Sequence, residues 1–386
     1  MLKIGVLCPY SSIYPNLHIE FLDGLRLAIP KDYLRKVEFY QEYIGQGSSG
    51  SVRNAIEKLV HFQRVDVLTG FCNYKVIDVL LSVISNRNVI AFLADMGEIV
   101  PKDQIISNQI FFNSLGLWQS EYALGQWANE QFKQRGDGVV CMSLYEAGYH
   151  ISSAFTKGYF AGGGRTLETS VIPQQRANQA VMNQYFQEYI LKFKKEHPAF
   201  IHALFAGQEA IDFIGMYSEM GLMGEIPLLV SSHMASQEIL ERIQGAKLDM
   251  YSASNWDISR DNEENKKFVK LYLKAYGRMP NAFDLLGYET GMALTSSFPS
   301  LMKKDFSELN KLLGASTLRT PRGEHLFNWN RHESPQPVFI EKVTADKGMI
   351  KKILVDQKPK VSFYNAAIRE LGAKNVSGFL NPYLCI

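Results

Sequence analysis

Short apolar runs alternate with helical patterns along the first part of the chain. The first run, Leu2–Cys8, has a β-branched bias and ends at Pro9, whose ring removes a backbone donor. Apolar residues at helical spacing follow in 21–29, and strand and helix patterns then alternate up to Val89–Leu93. This β-α-β-α-β-α-β order predicts a parallel sheet with helical crossovers.

A second series of alternating strands and helices begins after Phe111–Leu117, a segment that interrupts the alternation. The later elements predicted are helices at Ser120–Arg135, His150–Phe160, Ala177–Lys195, Glu209–Met220, Glu263–Tyr276 and Asp284–Ser296, strands at Gly138–Leu144, Glu168–Ile172, Ile201–Phe205, Ile226–Val230 and Leu248–Ala253, and hairpin strands at Glu324–Trp329 and Val338–Thr344. The pattern therefore predicts an α/β protein with two doubly wound, Rossmann-like lobes and several crossings between them.

The composition narrows the class of protein. A chain of 386 residues is too long for one ordinary core, so two lobes of about 150–200 residues each are expected. A hydrophobic fraction of 46% is typical of globular proteins, and a net charge of +2 gives no reason to expect nucleic acid as a partner. No apolar run reaches the length of about 18 residues that a membrane span needs.

Neither the cysteines nor the start of the chain settles where the protein works. The four cysteines form no C-x-x-C pair, and a disulfide between Cys8 and Cys72, at neighbouring strand ends, stays open. The chain begins directly on the first strand, without the charged and apolar regions of a signal peptide. Either a secretion signal was removed or the protein stays in the cytoplasm.

Several segments, in order and spacing, resemble one family. They are Ile4–Ser12 (IGVLCPYSS), Asp23–Ile29 (DGLRLAI), Ala55–Gly70 (AIEKLVHFQRVDVLTG), Ile84–Asp95 (ISNRNVIAFLAD), Glu146–Gly158 (EAGYHISSAFTKG), Asn265–Leu294 (NKKFVKLYLKAYGRMPNAFDLLGYETGMAL) and Phe327–Ile340 (FNWNRHESPQPVFI). Together they are similar to the type I periplasmic solute-binding proteins, particularly the Leu/Ile/Val-binding-protein-like branched-chain amino-acid and amide group, over about residues 2–350.

The resemblance implies a periplasmic binding protein type I fold that closes on a small molecule in a cleft between the lobes. It also implies a non-catalytic substrate-binding component of an ABC importer, with a permease as partner and a periplasmic or extracellular location. The alternative is a cytoplasmic amide or amino-acid sensor-regulator on the same scaffold, since the sequence contains no signal peptide. Neither function needs a cofactor.

The family pattern places lobe one at roughly 1–117 plus 249–320, and lobe two at 118–248 plus 321–386. Ligands of parallel α/β sheets bind at the carboxyl ends of strands, so residues after the predicted strands, and one at the first crossing, are the candidates. The predicted ligand-binding residues are Tyr10, Ser11, Ser12, Cys72, Asn73, Tyr74, Ala94, Asp95, Trp118, Tyr149, His150, Phe205, Gly207, Ser231, Ser232 and His233.

Departures from the family pattern bear on the ligand. The family's acidic residue for the ligand amine matches Trp118, and its second acidic position matches Ser231–Ser232. The family serine that holds a ligand carboxylate matches Asn73–Tyr74. A buried ammonium without a carboxylate is costly, and Asp95 is the candidate to supply one. We therefore expect a small polar or aromatic-bearing ligand (an amide or aromatic acid), with aliphatic amino acids as the alternative.

Other functions find little support in the sequence. Gly45–Gly50 (GQGSSG) matches a dinucleotide fingerprint, but it follows the second strand, and the next strand carries Asp66 at its start instead of an acidic residue at its end. The chain has no G-x-S-x-G, no H-E-x-x-H and no zinc-ligand spacing. We therefore predict no enzymatic activity, no metal and no cofactor.

Overall fold

The computed structural model divides the chain into two compact units. It describes residues 1–102, 107–173, 178–243, 245–305, 309, 313, 317–325, 337–346, 349–373 and 381–385. The first unit comprises Met1–Leu115, Trp256–Gln336 and Leu380–Ile386, and the second comprises Gly116–Asn255 and Pro337–Phe379. In the described part of the chain, no helix combines the length and the apolar character needed to cross a membrane.

Residues 2–114 alternate strands and helices as the apolar pattern predicts. The elements are β1 (Leu2–Cys8), α1 (Leu17–Ala28), α2 (Lys31–Leu34), β2 (Val37–Tyr43), α3 (Ser49–Glu57) with a π-helical end (Lys58–Gln63), β3 (Val67–Phe71), a 3₁₀ turn (Tyr74–Val76), α4 (Ile77–Ile84), β4 (Ile90–Asp95) and β5 (Ile110–Ser114). The strands form one parallel sheet in the order β2-β1-β3-β4-β5. The expected interruption at 111–117 is wrong, because Phe111 and its neighbours form β5 beside β4.

Residues 117–254 repeat the alternation in the second unit. The elements are α5 (Leu117–Phe132), β6 (Gly138–Ser143), a 3₁₀ turn (Glu146–Gly148), α6 (Ile151–Ala161), β7 (Leu167–Ile172), α7 (Gln179–Glu196), β8 (Ile201–Leu204), α8 (Gln208–Glu219), β9 (Leu228–Val230), α9 (Gln237–Arg242) and β10 (Asp249–Ser254). Strands β7, β6, β8, β9 and β10 are parallel neighbours in that order. Strand β10 thus lies in the second unit, whereas the sequence-based boundary placed it in lobe one.

The remaining elements are shared between the units. They are α10 (Glu263–Tyr276), α11 (Ala282–Lys303), β11 (Leu318–Thr320), β12 (Gly323–His325), β13 (Val338–Asp346), β14 (Met349–Lys358) and α12 (Ala366–Ala373). Strands β11 and β12 pair with each other in the first unit, and β13 pairs antiparallel with β10 and β14 in the second. Residues 326–329 of the predicted hairpin strand 324–329 lie outside the described residues, and the described Glu324 and His325 pair with β11 and not with 338–344.

The predicted boundaries differ from the units at two further places. Residues 321–325 lie in the first unit, as do 381–385 at the end of the chain, although both were placed in lobe two. Residues 323–325 pair with β11, and residues 381–385 bind the loops after β1, β3 and β4, and local apolar periodicity does not report such partners. All four cysteines are buried free thiols, so the disulfide left open for Cys8 and Cys72 is not formed.

Each unit contains one pair of helices that pack backbone to backbone at glycines. In the first unit these are α1 and α11, at Gly24 and Gly287, and in the second they are α5 and α6, at Gly125 and Gly158. A Cβ at any of these four positions would lie between 1.9 and 2.1 Å from a backbone oxygen of the facing helix. The close approach therefore requires glycine in both units.

Candidate functional site

The predicted ligand residues of the first unit lie at the carboxyl ends of three adjacent strands. Tyr10, Ser11 and Ser12 follow β1, Cys72 and Asn73 follow β3 with Tyr74 starting the next turn, and Ala94 and Asp95 end β4. Because β1, β3 and β4 are neighbours in the sheet, these groups share one edge. The side chains of Tyr10 and Ser12 are exposed, and the other six residues are buried.

Asn73 is committed to contacts within the first unit. Its side-chain amide donates to Oε1 of Glu98 (3.1 Å) and to the backbone oxygen of Asn381 (3.1 Å). Its Oδ1 accepts a hydrogen bond from the backbone N–H of Lys75 (2.8 Å). Both amide hydrogens are thus used. Asn73, one of the two residues that match the family serine, thus ties the β3 loop to Glu98 and to residue 381.

Ser11 and Glu98 also bind the end of the chain. The Ser11 hydroxyl donates to the backbone oxygen of Leu384 and accepts from the backbone N–H of Tyr14 (2.8 Å). Glu98 Oε1 accepts from the backbone N–H of Tyr383 (3.1 Å). Residues 381–385 therefore cover the edge formed by the loops after β1, β3 and β4.

Two buried carboxyl groups lie at the end of β4. Burial raises the pKa of Glu98 to about 7, and burial together with the nearby Glu98 raises the pKa of Asp95 well above its ordinary value. Burial therefore disfavours the charged form of both carboxyl groups, and ionising Asp95 to meet a ligand ammonium would carry a cost. Among the residues that the structure describes, no cluster of three or more His, Cys, Asp or Glu side chains is arranged to hold a metal ion.

The predicted residues of the second unit come from α5 and from three strand ends. Trp118 is the second residue of α5, Tyr149 and His150 immediately precede α6, Phe205 and Gly207 lie between β8 and α8, and Ser231, Ser232 and His233 follow β9. Because β6, β8 and β9 are adjacent, the last three groups share the carboxyl edge of this sheet. Ser232 is half-buried and the others are buried.

The aromatic residues at this edge divide into two groups. The rings of Tyr145 and Tyr149 meet edge to face with centroids 5.2 Å apart, and the Tyr149 hydroxyl donates to that of Tyr145 (3.1 Å). The Phe205 ring instead packs on Phe186 and Phe213, at 5.1 and 4.7 Å, inside the core of the second unit. The rings of Tyr145 and Tyr149 therefore form the aromatic group at this edge, and the Phe205 ring does not.

His233 joins the loops after β8 and β9. Its Nε2 lies 2.9 Å from the backbone oxygen of Phe205, a geometry in which the ring nitrogen carries the proton and donates. Burial lowers the pKa of His233 to about 4. The imidazole is therefore neutral at neutral pH, and its role at this edge is that of a hydrogen-bonding group and not of a cation.

Two serine hydroxyls at the same edge are buried without a hydrogen-bond partner among the described residues. Ser143 is the last residue of β6 and Ser231 is the first residue after β9, and both are 0% exposed. A buried hydroxyl that lacks a partner costs about 1–3 kcal/mol. A polar group of a bound ligand is the kind of partner that would remove this cost.

The sequence pattern missed Glu98, Ser143, Tyr145 and the end of the chain. Ser143 and Tyr145 lie within or just after a predicted strand, so a stricter use of the strand-end rule would have found them. The chain end is different. Asn73 and Asn381 are 308 positions apart, and a contact at that separation leaves no local periodicity.

A family model described as periplasmic binding protein matches residues 1–348 of the chain. The Leu/Ile/Val-binding protein homolog 6 of Brucella melitensis is 21% identical over 361 residues, which cover 90% of this chain and 89% of that protein.

Solved structures agree with this family match. An ABC transporter solute-binding protein from R. palustris, in complex with benzoate, has a TM-score of 0.73 at 22% identity, covering 95% of this chain and 99% of its own. The branched-chain amino acid transporter substrate-binding protein LivJ of Streptococcus pneumoniae, in complex with isoleucine, has a TM-score of 0.68 at 14% identity, covering 92% and 99%. At such identities the likeness shows the fold, and it confirms the predicted fold class.

Proposed function

Because the chain belongs to the periplasmic binding protein family, we propose that it binds a small polar or aromatic-bearing solute as the substrate-binding component of an ABC importer. Proteins of this family bind solutes and catalyse no reaction, so the chain is not an enzyme, as its sequence indicated. The permease partner and the location outside the cytoplasm are parts of the proposal that derive from the relatives.

The observation that carries the proposal is the carboxyl edge of the second unit. It combines the Tyr145 and Tyr149 rings with the buried hydroxyls of Ser143 and Ser231, which have no partner among the described residues. Ligand sites typically pair an apolar or aromatic wall with a few polar groups that orient the ligand. A ring that carries a carboxylate, amide or hydroxyl group matches this combination.

The first unit favours the same ligand class over an aliphatic amino acid. An α-amino group needs a carboxylate partner, and burial raises the pKa of Asp95, so ionising that carboxyl group carries a cost. Among proteins of this fold, one from R. palustris is in complex with benzoate and one from S. pneumoniae with isoleucine. Both ligand classes thus occur on the fold, and the side chains of this chain favour the first.

Thermal unfolding of the purified protein tests the proposal. Benzoate, 4-hydroxybenzoate, benzamide, leucine and isoleucine are added separately, and an aromatic acid or amide is expected to raise the melting temperature most. A ligand at a hundred times its Kd stabilises the protein by about 2.7 kcal/mol. A shift with leucine or isoleucine alone would show that the aromatic preference is wrong, and no shift with any compound would count against these ligand classes.

A pair of tyrosine variants locates the binding surface. Tyr149→Leu is expected to abolish most of the ligand-induced shift, because it removes a ring and a hydroxyl from the β6 loop. Tyr364→Leu is the matched control, because this tyrosine lies in the same unit and is 59% exposed. Equal losses in both variants would contradict a site at the Tyr149 loop.

A further inference from the structure

The end of the chain, Asn381–Cys385, lies on the carboxyl edge of the first unit's sheet, and we call it the C-terminal segment. All of its residues are buried, and Tyr383 and Cys385 are 0% exposed. The edge that it covers is where a parallel α/β sheet presents its ligand contacts.

Loops after three strands bind the backbone of the C-terminal segment. Ser11, after β1, and Asn73, after β3, each donate a side-chain hydrogen bond to one of its backbone oxygens. Glu98, after β4, accepts from one of its backbone N–H groups at 3.1 Å. Two of these three residues are ones that a ligand would otherwise meet at this edge.

The segment and the surface under it are fitted to each other. Within the segment, Asn381 Nδ2 donates to the backbone oxygen of Cys385 (3.0 Å), and the N–H of Cys385 donates to the oxygen of Pro382 (3.0 Å). Leu384 has a φ of +68°, a conformation that a leucine keeps only where its surroundings impose it. On the opposite surface, a Cβ at Gly47 would lie 2.7 Å from the Pro382 side chain.

We propose that the C-terminal segment is a resident part of the first unit's ligand-binding edge, and that it stays docked when a solute binds. The solute then contacts the surface that carries the segment, and not the Ser11 hydroxyl or the Asn73 amide. Freeing those two groups would break several hydrogen bonds and expose fully buried side chains, for a gain of two ligand contacts. The part of the proposal that concerns the solute rests on the proposed function. The docking of the segment is independent of it.

Thiol labelling of the full-length protein tests the proposal. A variant with Cys8, Cys72 and Cys141 replaced by alanine keeps Cys385 as its single thiol, and a maleimide is added with and without 4-hydroxybenzoate. Native protein is expected to react at least about a hundredfold more slowly than unfolded protein, because the thiol reacts only when the segment opens. 4-Hydroxybenzoate is expected to leave this rate unchanged or lower it. Faster labelling in its presence would show displacement of the segment and overturn the proposal.

Amide hydrogen exchange provides the same measurement in the unsubstituted protein, should the single-thiol variant fail to fold. The C-terminal peptide is expected to exchange slowly in the native protein, both with and without 4-hydroxybenzoate. Rapid exchange in the ligand-free protein would overturn the docking of the segment itself.

A matched pair of serine variants separates the proposal from a direct ligand contact. Ser11→Ala removes one hydrogen bond to the segment and is expected to speed Cys385 labelling about fivefold, while Ser82→Ala on α4 leaves the rate unchanged. Weaker binding of 4-hydroxybenzoate by Ser11→Ala at an unchanged labelling rate would overturn the proposal. If neither 4-hydroxybenzoate nor isoleucine binds, the proposed function loses its support, whereas slow labelling would still support a docked segment.

Discussion

The two units share an architecture but differ at the carboxyl ends of their strands. Each has a set of parallel strands and one helix pair packed at glycines. In the first unit, Ser11, Asn73 and Glu98 Oε1 each hydrogen-bond the chain's own C-terminal segment, and Glu98 Oε2 has no partner among the described residues. In the second, Ser143 and Ser231 have no partner among the described residues. The fold thus supplies the same kind of edge twice, and the residues after the strands decide which edge the chain closes for itself.

The largest expected effect concerns an ion pair found in the first unit. Arg322 is buried and bonds Glu289 through two nitrogens at 2.5–3.0 Å, and it also donates to the backbone oxygen of Ser114 (2.7 Å). Arg322→Met leaves the Glu289 charge buried and is expected to cost about 3–5 kcal/mol in urea unfolding. Arg35→Met, which removes an exposed pair with Asp32, should change stability by less than about 0.5 kcal/mol.

A small loss of stability in Arg322→Met would contradict this prediction. A loss of less than about 1 kcal/mol for Arg322→Met would mean that water solvates the Glu289 carboxylate once arginine is gone. The stability of the first unit would then not depend on the buried pair of Arg322 and Glu289.

The next prediction concerns the glycine-packed helix pair that both units contain. Gly287→Ala in the first unit and Gly158→Ala in the second each force a Cβ against a backbone oxygen 1.9 Å away. Both are expected to lose about 1–3 kcal/mol or more, because two helices must separate. Gly215→Ala on α8 meets no atom within 4 Å and should gain about 0.5–1 kcal/mol. If one of the two packed positions tolerated alanine without loss of stability, the two helix pairs would not be equivalent.

A smaller effect is expected at the carboxyl edges of the two sheets, where the units differ. Ser231→Ala removes a buried hydroxyl that has no partner among the described residues, so the ligand-free protein should gain about 1 kcal/mol. Ser11→Ala removes a hydroxyl that bonds Leu384 and Tyr14, so it should lose about 1 kcal/mol. Chemical denaturation of both variants measures the two signs. Changes of the same sign would show that the two edges do not differ in this way.

Much of the fold could be predicted from the sequence, because strand and helix periodicities are local. The alternation from Leu2 to Leu93 has the predicted order of elements, and both sheets contain the predicted crossovers. The pattern at Leu248–Ala253 correctly indicates a strand, but it holds no information on which sheet the strand joins. Its partner β13 begins more than eighty residues later, at Val338.

The strand-end rule predicts which residues lie at the edge of each sheet, but it does not predict what their side chains contact. The strand-end rule correctly locates Ser11 and Asn73 at one edge of a parallel sheet. It does not show that Asn381 and Leu384 already occupy their donors, because that depends on a contact between distant parts of the chain. Nor does it show that the Phe205 ring packs into the core, since residues at a strand end direct their side chains to either face.

The smallest expected effect is on the pH dependence of stability. Glu98 in the first unit and His233 in the second change the stability in opposite directions as pH changes. The pKa of Glu98 is raised from 4.5 to about 7, so the folded protein binds this proton more tightly than the unfolded chain, and the resulting stability is lost as pH rises through that range. The pKa of His233 is lowered from 6.5 to about 4, so its stability is present above 6.5 and is lost as pH falls. Asp95 and Lys75 also lie close enough to Glu98 to interact with it electrostatically, and a charged Asp95 would oppose ionisation of Glu98 whereas a charged Lys75 would favour it.

The variant Glu98→Gln separates the two contributions. The amide oxygen still accepts from Asn73 and Tyr383, but the titrating group is gone. Between pH 4.5 and 6.5 the variant should therefore lose stability on acidification more steeply than the parent protein, because Glu98 no longer opposes the His233 contribution, although Asp95 still does. Urea unfolding at several pH values measures the slope, and Glu188→Gln on the exposed face of α7 is the control that should keep the parent slope. If Glu98→Gln also keeps the parent slope, the Glu98 carboxyl does not hold its proton more tightly in the folded protein. The docking of the C-terminal segment would be unaffected by that outcome, because it is argued from hydrogen bonds and burial.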